Sequence, residues 1–153
     1  MSSADILDQL CEVNREIFLG DFADCEPQEF TIELDPVPAS RPCVFGNGGV
    51  TFGKRYKAFK EAALTKCKYF TGRKTGKPVA CFIEHIVHRP NNPSNPYPVG
   101  DLDNYDKGPL DAMVQSGLFF EDDIQVVFLV SAKRYQRPNE QACVNILWFD
   151  FDM

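Results

Sequence analysis

The chain has 153 residues, 44% hydrophobic and 25% charged, with 22 acids against 16 bases for a net charge of −6. That is an ordinary globular balance for one domain with its own core. No apolar run approaches the ~20 residues of a membrane span, and MSSADILDQL lacks the basic and apolar stretches of a signal peptide, so a cytoplasmic protein with no membrane partner is expected.

Residues 4–18 have helical spacing, with Ile6, Leu7, Leu10, Val13 and Ile17 on one stripe, Ser3 as a cap and Gly20 as the stop. FTIELD, 30–35, alternates between an apolar face (Phe30, Ile32, Leu34) and a polar one, as a half-wet strand does. The three prolines of PVPASRP, 36–42, exclude a central strand there. FGNGGVTFGK, 45–54, is a glycine-rich turn without P-loop spacing. A second helix follows over 54–70, burying Tyr56, Phe59, Ala63 and Leu64 and carrying Lys54, Lys57, Lys60 and Lys68 elsewhere. Residues 71–77 form a basic turn, 78–89 a strand, and the proline-rich 90–100 a loop. PLDAMVQS, 109–116, reads as a short helix with Pro109 in its first turn and Gly117 as its stop. Two apolar strands, 124–135 and 141–151, are joined by QRPNE as a hairpin. The order α-β-α-β-α-β-β predicts a single α+β domain with a mixed or antiparallel sheet packed by helices. The acidic helix 1–20 reads as an appendage to a domain over 21–153.

Charge is segregated along the chain. Residues 1–40 hold ten acids and one base, 41–89 eleven bases and two acids, and 90–153 ten acids and four bases. An electrostatic footprint is local, so the basic middle suits a polyanion despite the net charge; a solvated helix paired with acidic neighbours is the alternative. The six cysteines form no C-x-x-C pair, and a reducing compartment argues against a disulfide framework. Cys81, His85 and His88 invite a zinc reading, but on a strand 81 and 85 share a face while 88 lies on the other, so buried thiols and ordinary histidines are expected.

The densest chemistry is GDLDNYDKGPLDA, 100–112, with Asp101, Asp103, Asp106 and Asp111 around Lys107. Like charges this close repel unless water or a cation intervenes. In extended geometry Asp101 and Asp103, two apart, point the same way and can converge. A second acidic group, Glu121-Asp122-Asp123, precedes the strand from Ile124. Two carboxylates from one edge and one from another can hold a hard divalent cation; helix caps and loop solvation are the alternative. A calcium EF-hand is excluded by Asp106 and Ala112 where the loop needs glycine and glutamate.

DLDNYDKGPLDAM and GLFFEDDIQVV resemble the RusA family of phage and prophage Holliday junction resolvases, whose pattern is D-x-D-N-x-x-K, a D-A-[LM] helix and a turn ending D-D-x-Q-[VI]. PVPASRP and GKRYKAFKEA resemble it too, so the likeness covers about 27–150. Gly108-Pro109 departs from the pattern and places Lys107 on a turn before the regular helix. The turn GLFFEDD is one residue long for the family, which leaves Asp122 and Asp123 open; the register on D-x-Q-V favours Asp123. The resemblance implies a homodimeric enzyme that cuts four-way DNA junctions by paired symmetric incisions, in a bacterial cell or phage-infected host. It implies Mg²⁺, with Mn²⁺ as a substitute, held by Asp101, Asp103 and Asp123, and Lys107 as a further catalytic group, whose alternative is an ion pair with Asp103 or Asp111. Arg41, Lys54, Arg55, Lys57, Lys60, Arg73 and Lys74 would contact phosphates. Phe119 and Phe120 are candidates for wedging between bases or for filling the core. Two alternatives stand beside this reading: a non-catalytic nucleic-acid binder, and a nuclease for other branched DNA.

Overall fold

The computed structural model describes residues 3–40, 43–44, 50–51 and 53–153, with side chains over 6–40 and 53–153. Helix α1 (Ser3–Glu16) opens the chain and widens into a π-turn over Ile17–Asp21, so Gly20 lies inside the helical segment rather than ending it. The Ser3 side chain lies outside the described residues, and so do 45–49 of the glycine-rich turn. Strand β1 (Gln28–Ile32) follows, then a small antiparallel pair, β2 (Cys43–Val44) with β3 (Val50–Thr51). Helix α2 (Lys54–Cys67), strand β4 (Val79–Val87), helix α3 (Leu102–Ser116), and strands β5 (Val126–Tyr135) and β6 (Cys143–Asp150) complete the order. Among the described residues no helix is long and apolar enough to cross a membrane.

The main sheet runs β1-β6-β4-β5 and is mixed: β6 is antiparallel to β1 and β4, while β4 and β5 are parallel. The predicted α+β class with a mixed sheet is therefore the observed one. The predicted hairpin between the last two strands is not. β5 and β6 lie on opposite sides of β4, and residues 136–142 cross its end. β4 is buried at all nine positions, so it needs a strand on each side and cover on each face. A parallel pair needs a long crossover, and α3 supplies it between β4 and β5.

Both faces of the sheet are covered. On the front, α2 and α3 close a core of Ile32, Phe59, Ala63, Val79, Ile83, Met113, Phe119, Phe120, Ile146 and Trp148. On the back, α1 and its π-turn bury Cys11 and Phe18 against Ala80, Phe82, Leu147 and Phe149, with Leu7 packed alongside. Arg15 of α1 pairs with the buried Glu84 of β4, so that carboxylate has a counter-charge. The stripe read from the sequence faces mostly outward: Leu10 and Val13 are each more than half exposed, and Ile6 nearly so. The inward stripe is Leu7, Cys11 and Phe18. The helix carries two apolar stripes, and periodicity alone selects the richer one.

Candidate active site

Helix α3 begins at Leu102, seven residues earlier than the spacing predicts, and runs through Pro109. Asp101 is its N-cap, with extended backbone (φ −77°, ψ 146°), and Asp103 sits in the first turn. The extended i, i+2 argument for their convergence therefore does not apply, and Lys107 is on the regular helix rather than on a turn before it. Pro109 cannot donate to the Tyr105 carbonyl and costs about 3 kcal/mol in a helix interior; burial of Tyr105, Pro109, Ala112 and Met113 offsets that cost. The Ala39 N–H, from the proline-rich 36–40 segment, donates to the Asn104 carbonyl at 2.8 Å and ties that segment to the first turn. Gly108 lets α2 approach: a Cβ there would lie 2.8 Å from the Phe59 ring and 3.3 Å from Tyr56.

The four-aspartate segment is divided by the helix. Asp106 turns inward, accepting from Ser131 Oγ at 2.8 Å and lying 2.7 Å from His85 Nε2, which ties α3 to β5 and β4. His85 Nδ1 has no hydrogen-bond partner among the described residues. Tyr105 is buried beside it; its hydroxyl donates to the Val99 carbonyl at 2.7 Å, and burial pushes it up to about 12. Asp103, Lys107 and Asp111, four apart, form the opposite stripe. Asp111 pairs with Lys60 at 3.3 Å. Lys107 forms no ion pair with Asp103 or Asp111. The side chains of Asp101 and Asp103, both exposed, also have no hydrogen bond or ion pair from the described residues.

The second acidic group is held by Gln125. After Gly117, which ends α3 in the left-handed region at φ 72°, Phe119 and Phe120 are fully buried against Phe70 and Trp148. Both are core residues, not wedges. A short 3₁₀ turn, Asp123–Gln125, then leads into β5. Gln125 Oε1 accepts from Glu121 N at 2.7 Å and Asp122 N at 3.0 Å, while its Nε2 donates to the carbonyls of Thr75 at 3.1 Å and Lys77 at 2.9 Å. Asp122 caps the turn by accepting from Ile124 N at 3.1 Å, and that bond holds its carboxyl below the usual range. Asp123 is raised, first by a hydrogen bond shared with the Asp122 carboxyl, then by burial and by the charges of Asp122 and Asp111. The two acids thus differ in kind: one is engaged in the turn, and the other sits in a negative field that a cation would relieve.

The basic residues flank this surface. Arg55 lies close enough to Tyr105 to oppose its shift, Phe59 meets Gly108, and Lys60 meets Asp111. These pairs advance in step, so α2 and α3 run the same way with their N-termini together. Lys54, Arg55 and Lys57 are exposed at that end, without ion pairs among the described residues. Lys60 is engaged with Asp111, and Arg73 with Glu26 at 2.8 Å. Lys74 is exposed and adjoins Thr75, which the Gln125 turn holds. Arg41 lies outside the described residues. Burial pushes the Cys11 thiol up to about 11 and Cys67 up to about 12, and raises Cys81 further, so none is a ready nucleophile.

Among the described residues no three His, Cys, Asp or Glu side chains gather around one point. The Asp103–Asp111 stripe is itself ~12 Å long at 1.5 Å per residue. The donor chemistry nonetheless suits a hard cation: exposed carboxylates without side-chain partners among the described residues and an Asp123 raised by its acidic neighbours. Sequence reading missed the Asp106–His85–Ser131 anchor, because nothing in spacing tells a buried aspartate from an exposed one. It missed Asp111 as a neighbour of Asp123, although the four-residue step from Lys107 was visible. Comparison with known families matches residues 33–146 to the one described as endodeoxyribonuclease RusA. No curated protein matches the chain.

Proposed function

On the strength of that match the chain belongs to the RusA endodeoxyribonuclease family, and from this premise we propose that it resolves four-way DNA junctions as a homodimer making paired incisions, with Mg²⁺ or Mn²⁺. The observation that carries the proposal is that the side chains of Asp101, Asp103 and Lys107, inside the matched segment, have no partner among the described residues and lie at the outer side of a helix whose inner side is anchored. A fold that needed these charges for stability would have paired them.

Asp101, Asp103 and Asp123, which do not gather around one point among the described residues, would have to converge to hold the cation, which would supply charge at the scissile phosphate and a water of lowered pKa. Lys107 places a mobile positive charge beside the same phosphate and stabilises the charge that develops on it. Asp122 caps the turn and leaves Asp123 available. Lys54, Arg55 and Lys57 contact backbone phosphates next to the acids, with Lys74 on the far side; these contacts position the DNA without reading sequence. Lys60 and Arg73, already paired, contribute less. Membership of a DNA-acting family supports action in the cytoplasm of a bacterium or phage-infected host.

The test is a panel of synthetic substrates (four-way junction, flap, replication fork and linear duplex) incubated with the protein across a Mg²⁺ titration. Preferential, metal-dependent cutting of the four-way junction at symmetric positions supports the proposal. Preferential cutting of flaps or forks would reassign the substrate, and binding without cutting at any metal concentration would make the protein a non-catalytic binder.

A further inference from the structure

The sheet has two edges of opposite character. At one, β1 carries Gln28, Glu29 and Thr31, and Glu33 follows it. Charges on an edge discourage further pairing. At the other, β5 carries no proline, glycine or charge from residue 124 to 132, IQVVFLVSA. Val127, Phe128 and Leu129 are about half exposed, and Ile124 is 79% exposed. Among the described residues no backbone hydrogen bond reaches the outer side of β5. The one irregularity, at Val79/Ala80 opposite its start, lies on the paired side.

This edge is continuous with a second apolar surface. A groove of about 320 Å³ on the back of the sheet is lined by Ile17, Phe18, Phe22, Phe128, Phe149 and Phe151 among others. It joins Phe128 of β5 to the end of α1. From there the outward stripe of Ile17, Val13, Leu10 and Ile6 continues along the helix, with Leu19 and Phe22 beside it. A half-exposed large apolar side chain offers very roughly 100 Å², so these ten residues present on the order of 1,000 Å². Monomers rarely leave more than a few hundred Å² of contiguous apolar patch, and a standard interface needs about 800 Å² per partner.

We infer that this surface, the β5 edge together with the outer face of α1, is where a second copy of the chain docks, by antiparallel β5–β5 pairing about a two-fold axis. The inference rests on the homodimer reading above and gives it a location. A two-fold through a strand pairs it with itself, and an axis near Phe128 opposes the uncharged 124–132 run in each copy without placing like charges face to face. The two α1 helices then cover the back of the joined sheet. The N-terminal segment, outside the family match over 33–146, thereby acquires a role: its inner stripe completes one subunit's core and its outer stripe widens the interface.

Analytical ultracentrifugation of the full chain tests this, alongside Phe128→Glu and the double variant Leu10→Glu/Val13→Glu. All three positions are exposed, so the folded subunit is expected to persist by circular dichroism. The expected result is a dimer at micromolar concentration for the natural chain, and at least a 100-fold weaker dimer for Phe128→Glu. Hydrogen exchange on the unmodified chain provides a reading that needs no variant. Amides 126–132 gain protection as concentration rises through the dimerisation range, while 28–32 do not change. A natural chain that stays monomeric at 100 µM (taking about 1 µM as the reference for a functional dimer), protection gained at β1 instead, or unchanged dimerisation of folded Phe128→Glu each overturns it. These readouts are independent of cleavage. A β5-linked dimer that cuts no junction would defeat the catalytic reading alone, and a junction-cutting dimer joined elsewhere would defeat this inference alone.

Discussion

Replacing Gln125 by alanine removes four hydrogen bonds at once: two from the backbone of Glu121 and Asp122, and two to the carbonyls of Thr75 and Lys77. At roughly 0.5–1.5 kcal/mol net each, with the more exposed bonds at the low end, the loss is about 3 kcal/mol. For a chain of this size ~1 kcal/mol shifts Tm by ~2–4 °C, so Tm should fall by about 6–12 °C in a thermal melt. The functional effect is separate. The turn positions Asp123, and a displacement of about 1 Å at a reacting centre can cost ~10²-fold. Junction cleavage should therefore fall at least ~10-fold, while junction binding, carried by α2, stays near the natural level. Gln125→Glu keeps an acceptor for the two N–H groups but sets a carboxylate against two carbonyls, and should be no better than alanine. A Gln125→Ala protein that melts within about 1 °C of the natural chain and cuts at full rate would refute the view that this side chain holds the acidic turn.

Lys107→Ala should lower cleavage by ~10²-fold, as loss of a charge-stabilising donor does, yet shift stability by less than ~0.5 kcal/mol because the lysine has no ion pair to lose; a matched pair of kinetic and melting measurements checks both halves. Glu140, held by a two-pronged Arg134 contact at 2.5 and 2.7 Å, is lowered to about 2 from an ordinary value of 4.5. A depressed carboxyl stabilises the fold above its unfolded value and loses that stability as pH falls toward the folded one, so the natural chain should weaken between about pH 4.5 and 2 more steeply than Glu140→Gln in acid-denaturation curves. Junction affinity should fall steeply on a log–log plot against salt, and Lys57→Ala should reduce that slope by about 1; an unchanged slope would remove Lys57 from the DNA surface.

The strands and helices were legible because hydrophobic period marks them: β4 as a nearly unbroken apolar run, β1 as an alternation, α2 through Tyr56, Phe59 and Ala63. Partners were not legible. The adjacency of β5 and β6 in the chain suggested a hairpin, but the burial of β4 on both sides decides the topology. Pro109 started the predicted α3 too late, because proline's cost is local while the burial that offsets it comes from α2 and the sheet. Residue types and spacing singled out the acids and Lys107 as candidates but not which aspartate turns inward. Asp106 is buried only because His85 and Ser131, distant in sequence, meet it there. Spacing likewise does not show that Asp122 is the one of the two adjacent acids that caps the turn.

The most direct test of the central claim compares Asp123→Asn with Asp122→Asn in Mg²⁺-dependent cleavage of a synthetic four-way junction. Asparagine caps about as well as aspartate, so both variants should fold and bind the junction. Cleavage should be abolished by Asp123→Asn and largely retained by Asp122→Asn. If Asp123→Asn cuts at the natural rate, Asp123 is not part of the metal-dependent centre, and the account of these acids as its ligands is wrong.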